Sequence, residues 1–121
     1  MSYMLLIIEP VGQRATRTQA EGREAYAQMQ RFAEGLAAQG KLKAVESLSS
    51  QADAVRVSHA HGRPQTLDGP FAEAKEMIGG FFLLQNVSRE EAIDLAHACP
   101  AAQWCTVEVR ALAPCFDESH A

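Results

Sequence analysis

The chain has 121 residues, 47% of them apolar, and a formal charge of −4 with no basic block. One ordinary domain with a real core fits this length, and neither nucleic acid nor an anionic membrane is an electrostatic match. No apolar run is long enough to span a bilayer. The opening MSYMLLIIEP lacks the basic region and cleavage site of a signal peptide, and the three cysteines, Cys99, Cys105 and Cys115, form no C-x-x-C pair. An odd, scattered set reads as reduced thiols in a cytoplasmic protein rather than a disulfide framework or a zinc ribbon.

In chain order, Tyr3 to Ile8 (YMLLII) is a short apolar run followed by Pro10 and Gly12, and it reads as a buried strand. Thr18 precedes Glu21 at the spacing of a capping box. Ala25, Met29, Phe32 and Leu36 then mark one face of a helix that Gly40 closes in a left-handed cap. KAVESL (43–48) is a candidate second strand. AVRVSHA (54–60) alternates with period two, His61-Gly62 signals a turn, and RPQTL (63–67) returns as the other arm of a hairpin. The turn Asp68-Gly69-Pro70-Phe71 leads to a strand around Gly80 to Gln85. Ser88 and Glu91 make a second capping box for a helix carrying Ala92, Leu95, Ala96 and Cys99, which Pro100 stops. In the last strand, WCTVEVRAL (104–112), Cys105, Val107 and Val109 point one way, and Trp104, Thr106, Glu108 and Arg110 the other.

Strand, helix, strands, helix, strand is an α+β pattern, and its simplest topology is a ferredoxin-like antiparallel sheet with two helices on one face. The expected division is a single domain over 1–113 and a loosely held tail over 114–121, with no repeat, linker or low-complexity segment. Two helices cover one sheet face only. Strands 3–8 and 80–85 are apolar on both sides, so both faces are expected to be buried. Pairing of sheets in a homodimer achieves this.

The stretch TLDGPFAEAKEMIGGFF (66–82) raises the question of function. Asp68 can bond its own downstream amides, Gly69 permits positive φ and Pro70 fixes its own φ, which is ordinary turn chemistry. Glu73, Lys75 and Glu76 crowd charge beside it, and Gly79-Gly80 marks either a bulge or the close approach of a ligand or partner backbone. DGPFAEAKE followed by GGFF resembles the signature of the YCII-related proteins, specifically their DGPF-motif subgroup. YMLLI, the first helix closed by Gly40, the Ala92 to Pro100 helix and the ending VEVRAL are similar to that family's elements. The likeness runs from about residue 3 to residue 112.

The resemblance implies a dimeric α+β barrel and a pocket for a small molecule. Some members of the subgroup accompany sigma factors, which suggests a sensor or accessory to transcriptional regulation. The wider family carries a His–Asp pair. This chain has no histidine between residues 13 and 40, and Cys99 precedes Pro100, so neither member of that pair transfers.

Asp68, Gly69, Pro70, Phe71, Glu73 and Lys75 match the subgroup motif and are the expected ligand-binding residues. Arg110 is added as an anion holder beside a Trp104 wall. The rival function is a lyase- or isomerase-type enzyme acting on a small organic acid or ring compound, with Asp68 as general base. His59 and His61 share a face if the strand continues through them, but no third ligand is near in sequence, so no metal and no cofactor is expected. No Walker loop, G-x-G-x-x-G, G-x-S-x-G or H-E-x-x-H is present.

Overall fold

The computed structural model describes residues 2–116; His120 and most of the expected tail lie outside the described residues. Strand β1 (Tyr3–Pro10) alternates between buried and half-buried positions up to Glu9 and ends on the exposed Pro10. Tyr3, Leu5, Ile7 and Glu9 point inward, whereas Met4, Leu6 and Ile8 reach the opposite face. Helix α1 (Gln19–Ala38) opens on the expected capping box, with Thr18 and Glu21 each bonding the other's backbone N–H. It ends where Gly40 turns to φ +70° and the Lys41 N–H reaches back to the Leu36 carbonyl at 3.0 Å.

After β2 (Leu42–Ser47) the chain leaves the sheet as a separate hairpin, β3 (Val55–Ala60) and β4 (Arg63–Asp68), paired from Val55↔Asp68 to Ala60↔Arg63. Its two-residue turn is His61-Gly62, with φ of 54° and 74°, the double positive φ of a type I′ hairpin. Strand β5 (Glu76–Leu84) starts earlier than its sequence suggested, because the segment before Gly79-Gly80 also pairs with β1. Helix α2 (Arg89–Ala98) and β6 (Thr106–Ala111) complete the chain.

The main sheet has the order β2-β5-β1-β6, and every adjacent pair in it is antiparallel. With the hairpin set aside, that order is compatible with a ferredoxin-like arrangement. Both helices contribute to one core. Leu36 of α1 and Ala92 and Ala96 of α2 pack on Tyr3, Leu5, Ile7, Phe82 and Leu84. Phe32 meets Phe82 edge-on, with ring centroids 5.3 Å apart. Each large apolar side chain buried here stabilises the fold by about 1.5–3 kcal/mol relative to exposure.

The face away from the helices carries Met4, Leu6, Ile8, Phe81 and Leu83, all half-buried, and Ile78, which is exposed.

The second expected capping box is half made. Ser88 accepts from the Glu91 N–H, but the Glu91 carboxylate turns to Lys41 Nζ at 2.6 Å instead of returning to the Ser88 amide. An ammonium is a better partner for a carboxylate than one more amide, and the ion pair ties α2 to the loop that closes α1.

Candidate functional site

The register between β1 and β5 slips between Ile7, opposite Gly80, and Ile8, opposite Ile78. Gly79 is therefore the extra residue of a bulge. The side chain of Glu9 lies directly across Gly79, and a Cβ at that glycine would overlap Glu9 Oε1. The Gly-Gly pair thus marks both a bulge and a close approach, and what approaches Gly79 is an acidic side chain of the same chain. Gly80 has its own neighbour, the Glu46 carbonyl, which a Cβ would meet at 2.7 Å.

Glu9 is 6% exposed, and a buried carboxylate needs a partner. The short 3-10 turn Arg14–Thr16 that follows β1 supplies one. Arg14 Nε donates to Glu9 Oε2 at 3.0 Å, and Nη2 donates to Oε1 at 2.6 Å. This is the two-bond fork that guanidinium and carboxylate planes favour.

Beside the pair, Gln13 Nε2 donates to the Trp104 carbonyl at 2.6 Å, while Gln13 Oε1 is buried without a partner. The Arg17 guanidinium stands over the Trp104 ring, 5.5 Å from its centroid. These groups form one end of a cavity of about 830 Å³ between α1 and the sheet. Its apolar wall includes Ile7, Ala25, Met29, Val45 and Phe82. The volume is that of a small-molecule pocket, and polar side chains from α1, β1 and β2 share its lining with the apolar wall.

Cys105 also lines this cavity. Burial first, and the nearby Glu9 charge second, push its thiol up to about 11, so it stays neutral and unreactive at physiological pH.

The DGPF segment lies elsewhere. Asp68 ends β4 opposite Val55 and is exposed; it lines neither this cavity nor the second one described below. Gly69 is not at positive φ, contrary to the turn chemistry expected of it. Its requirement is steric. The Gly69 N–H donates to the Ala54 carbonyl at 2.7 Å, and a Cβ there would overlap the Gln51 carbonyl oxygen. Pro70 is exposed and Phe71 is buried. The Phe71 carbonyl accepts from Gln51 Nε2 at 3.4 Å, and the Arg56 guanidinium covers its ring at 3.8 Å. The motif anchors the foot of the hairpin to the turn Gln51–Asp53.

Phe71, Arg56, Ile8, Ile78 and Glu108 border a second hollow of about 690 Å³ on the helix-free side of the sheet. Glu73 and Lys75 are exposed, and Lys75 contributes its carbonyl, which accepts from the Val11 N–H at 2.9 Å. Arg110 sits on β6 opposite Met4, on the helix-free face, and pairs with Glu108 at 2.8 Å.

Trp104 does not share that face. It caps the 3-10 turn Pro100–Gln103 before β6 begins and lines the helix-side cavity. The structure therefore separates the expected Arg110 and Trp104, and it brings Trp104 together with Gln13, Arg14 and Arg17. His59 faces Pro64 in the hairpin and His61 occupies its turn; among the described residues, no three His, Cys, Asp or Glu side chains are grouped closely enough to hold a metal ion.

Glu9 was readable in principle. In YMLLIIEP the inward register of Tyr3, Leu5 and Ile7 extends to Glu9, and a charge at a buried register demands a counter-charge nearby. Gln13 and Arg17 carry no such pattern.

An α+β domain with a four-stranded antiparallel sheet, two helices on one face and a polar-ended pocket beneath the first helix is the class defined so far. The family model described as YCII-related domain matches residues 1–115, and the chain belongs to that family. It is also 41% identical over 76 residues to an uncharacterized protein, R00369, of Rhizobium meliloti (strain 1021). The aligned stretch covers 61% of this chain and 61% of that relative.

Proposed function

We propose that this chain is a small-molecule-binding protein of the DGPF-motif subgroup whose ligand occupies the cavity between α1 and the sheet. The observation that carries this reading is the Glu9–Arg14 pair, its carboxylate buried and its guanidinium part-exposed, at the polar end of a cavity of about 830 Å³. A charged pair with a glycine cleared to receive it is costly to bury, and a ligand site is a reason to keep one. Binding without chemistry fits the lack of the family's His–Asp pair, and the role as a sensor or accessory beside a sigma factor rests on the resemblance of DGPFAEAKE alone.

The working form is a homodimer in the cytoplasm. The half-exposed Met4, Leu6, Ile8, Phe81 and Leu83 support the dimer, and three free thiols support the compartment.

The rival reading makes Asp68 a general base for a small organic acid or ring compound, with Gly69, Pro70, Phe71, Glu73, Lys75 and Arg110 around the ligand. The hollow beside Phe71 and Arg56 favours it. It also requires a second copy to enclose Asp68, which is exposed in one chain.

A fragment screen followed by NMR tests the main reading. The single tryptophan, Trp104, lines the cavity, so ligands should move its indole N–H resonance. Fragments that perturb only amides around Asp68 and Phe71 would transfer the site to the DGPF segment. A sigma-factor gene beside this one supports the accessory role, and catabolic neighbours support the enzyme.

A further inference from the structure

The polar end of the helix-side cavity has an uneven set of groups. Glu9 and Arg14 neutralise each other through two hydrogen bonds. Arg17 adds a cation that makes no ion pair within 4.0 Å of a carboxylate among the described residues; it lies over the face of Trp104, and the Glu21 carboxylate is its longer-range electrostatic neighbour. Two other acids line the cavity, Glu34 and Glu46. Glu34 is on the C-terminal half of α1, and Glu46 is exposed on β2 opposite Phe81.

Gln13 supplies the second imbalance. Its Nε2 must face the Trp104 carbonyl, because a carbonyl accepts and cannot donate. That bond fixes Oε1 as the other end of the amide, and Oε1 is buried with no donor. A buried acceptor left unpaired is costly, and this one belongs to a residue that lines the cavity.

Resting on the reading of this cavity as the ligand site, we propose that it takes a monoanionic aromatic hydroxy acid. The carboxylate meets Arg17 and the Nη1 N–H groups of Arg14, since Nε and Nη2 are directed at Glu9 and the Gly79 carbonyl. A hydroxyl donates to Gln13 Oε1, and the ring lies among Trp104, Met29 and Phe82. One cation without a direct ion-pair partner matches one carboxylate, whereas a dianionic phosphate would be left underneutralised. An apolar ring is suited to the indole and thioether wall.

Calorimetric titration of the intact protein with 3-hydroxybenzoate, benzoate and phenol tests this, with the Trp104 indole N–H resonance reporting the place of binding. The meta hydroxyl is used because an ortho hydroxyl is tied to its own carboxylate. Wild type should bind 3-hydroxybenzoate roughly tenfold tighter than benzoate and roughly 10–100-fold tighter than phenol. Gln13→Leu should abolish the preference over benzoate and keep the preference over phenol; Arg17→Leu should sharply reduce the preference over phenol, leaving what Arg14 supplies, and keep the preference over benzoate.

Equal binding of 3-hydroxybenzoate and benzoate by wild type, or survival of that preference in Gln13→Leu, overturns the hydroxyl assignment. Phenol binding as tightly as the acids overturns the anion assignment while the cavity reading stands. If none of the three moves Trp104, the proposal falls. The cavity reading falls with it only if a diverse fragment set also leaves Trp104 unmoved.

Discussion

Arg14 clasps Glu9 across the bulge at Gly79, with the Glu9 side chain 9% exposed and the Arg14 side chain 37% exposed. Removing the cation leaves a buried carboxylate alone. Arg14→Met should therefore cost about 2–3 kcal/mol at neutral pH, below the usual penalty for a broken buried pair because Arg14 is partly in water. The double variant Glu9→Gln with Arg14→Met should recover much of that loss, since no charge remains buried. Urea denaturation of the single and double variants measures it. Equal losses in both would show that the pair matters only through packing.

The DGPF segment separates into a steric and a chemical part. Gly69→Ala places a Cβ against the Gln51 carbonyl and should destabilise by about 1–3 kcal/mol, as overpacking does. Asp68 is exposed, so Asp68→Asn should change stability by no more than about 0.5 kcal/mol. If Asp68 is the general base of the rival reading, that variant loses turnover with its stability intact. Thermal unfolding of both variants beside a ligand titration distinguishes the two parts.

The frame of the molecule was legible because local signals agreed with one another. Thr18 and Glu21, Gly40, His61-Gly62 and Pro100 each fixed an element boundary through short-range chemistry. The candidate site was legible only in part. DGPF drew attention by its composition, yet it packs Phe71 beneath Arg56 and fastens a hairpin. Gly69 shows the limit well. A glycine before a proline suggests an unusual φ, while the actual constraint is a carbonyl from Gln51, distant in sequence. Glu9, Gln13, Arg14 and Trp104 meet only through the bulge and the contact of Gln13 with the Trp104 carbonyl, 91 residues on.

The thiols should react in order of burial and thiolate character. Cys115 is exposed, Cys105 is half-buried with its thiol pushed up to about 11, and Cys99 is buried with its thiol also raised by desolvation. Iodoacetamide at pH 8 should modify Cys115 first and the other two only on unfolding. The same shift acts on stability. A thiol raised in the folded state keeps its proton when the unfolded chain has lost it, so stability should decline as pH rises from about 9, the ordinary value of a free thiol, toward about 11. Mass spectrometry of timed alkylation and urea titrations between pH 8 and 11 check both expectations.

Two carboxylates work in the opposite direction. Hydrogen bonds from the Thr18 backbone and side chain lower Glu21, and the Lys41 ammonium lowers Glu91, each from 4.5. Their contributions are complete above the unfolded value and are lost as pH falls through the lower folded values. Both groups are solvent-exposed, so the effect should be small. It should shrink further in Glu21→Gln and Glu91→Gln when thermal midpoints at pH 7 and pH 3 are compared. A wild-type acid sensitivity unchanged in both variants would assign the acid response to other carboxylates.

The last prediction concerns assembly, and β1 contains its own control. Leu5 and Leu6 are adjacent, alike in size and on opposite faces of one strand. Leu5 is fully buried against the helices, whereas Leu6 lies half-buried on the face without helices. Within a single chain a charge at Leu6 can reach water, as a lysine stem can lie along apolar surface with its ammonium exposed, but a charge at Leu5 cannot. Leu5→Lys should therefore unfold the domain at any concentration.

Leu6→Lys should leave a folded domain. If two sheets pair through this face, it should also place two ammonium groups near a twofold interface and drive the dimer apart. Light scattering should then give a dimer for wild type at micromolar concentration and a folded monomer for Leu6→Lys, with circular dichroism confirming the fold. Phe81, which pairs with Leu6 across β1 and β5 on the same face, should behave alike as Phe81→Lys. A wild-type monomer, or dimers that survive both substitutions, would mean that this face does not pair with a second copy. The half-buried Met4, Ile8 and Leu83 would then need another partner.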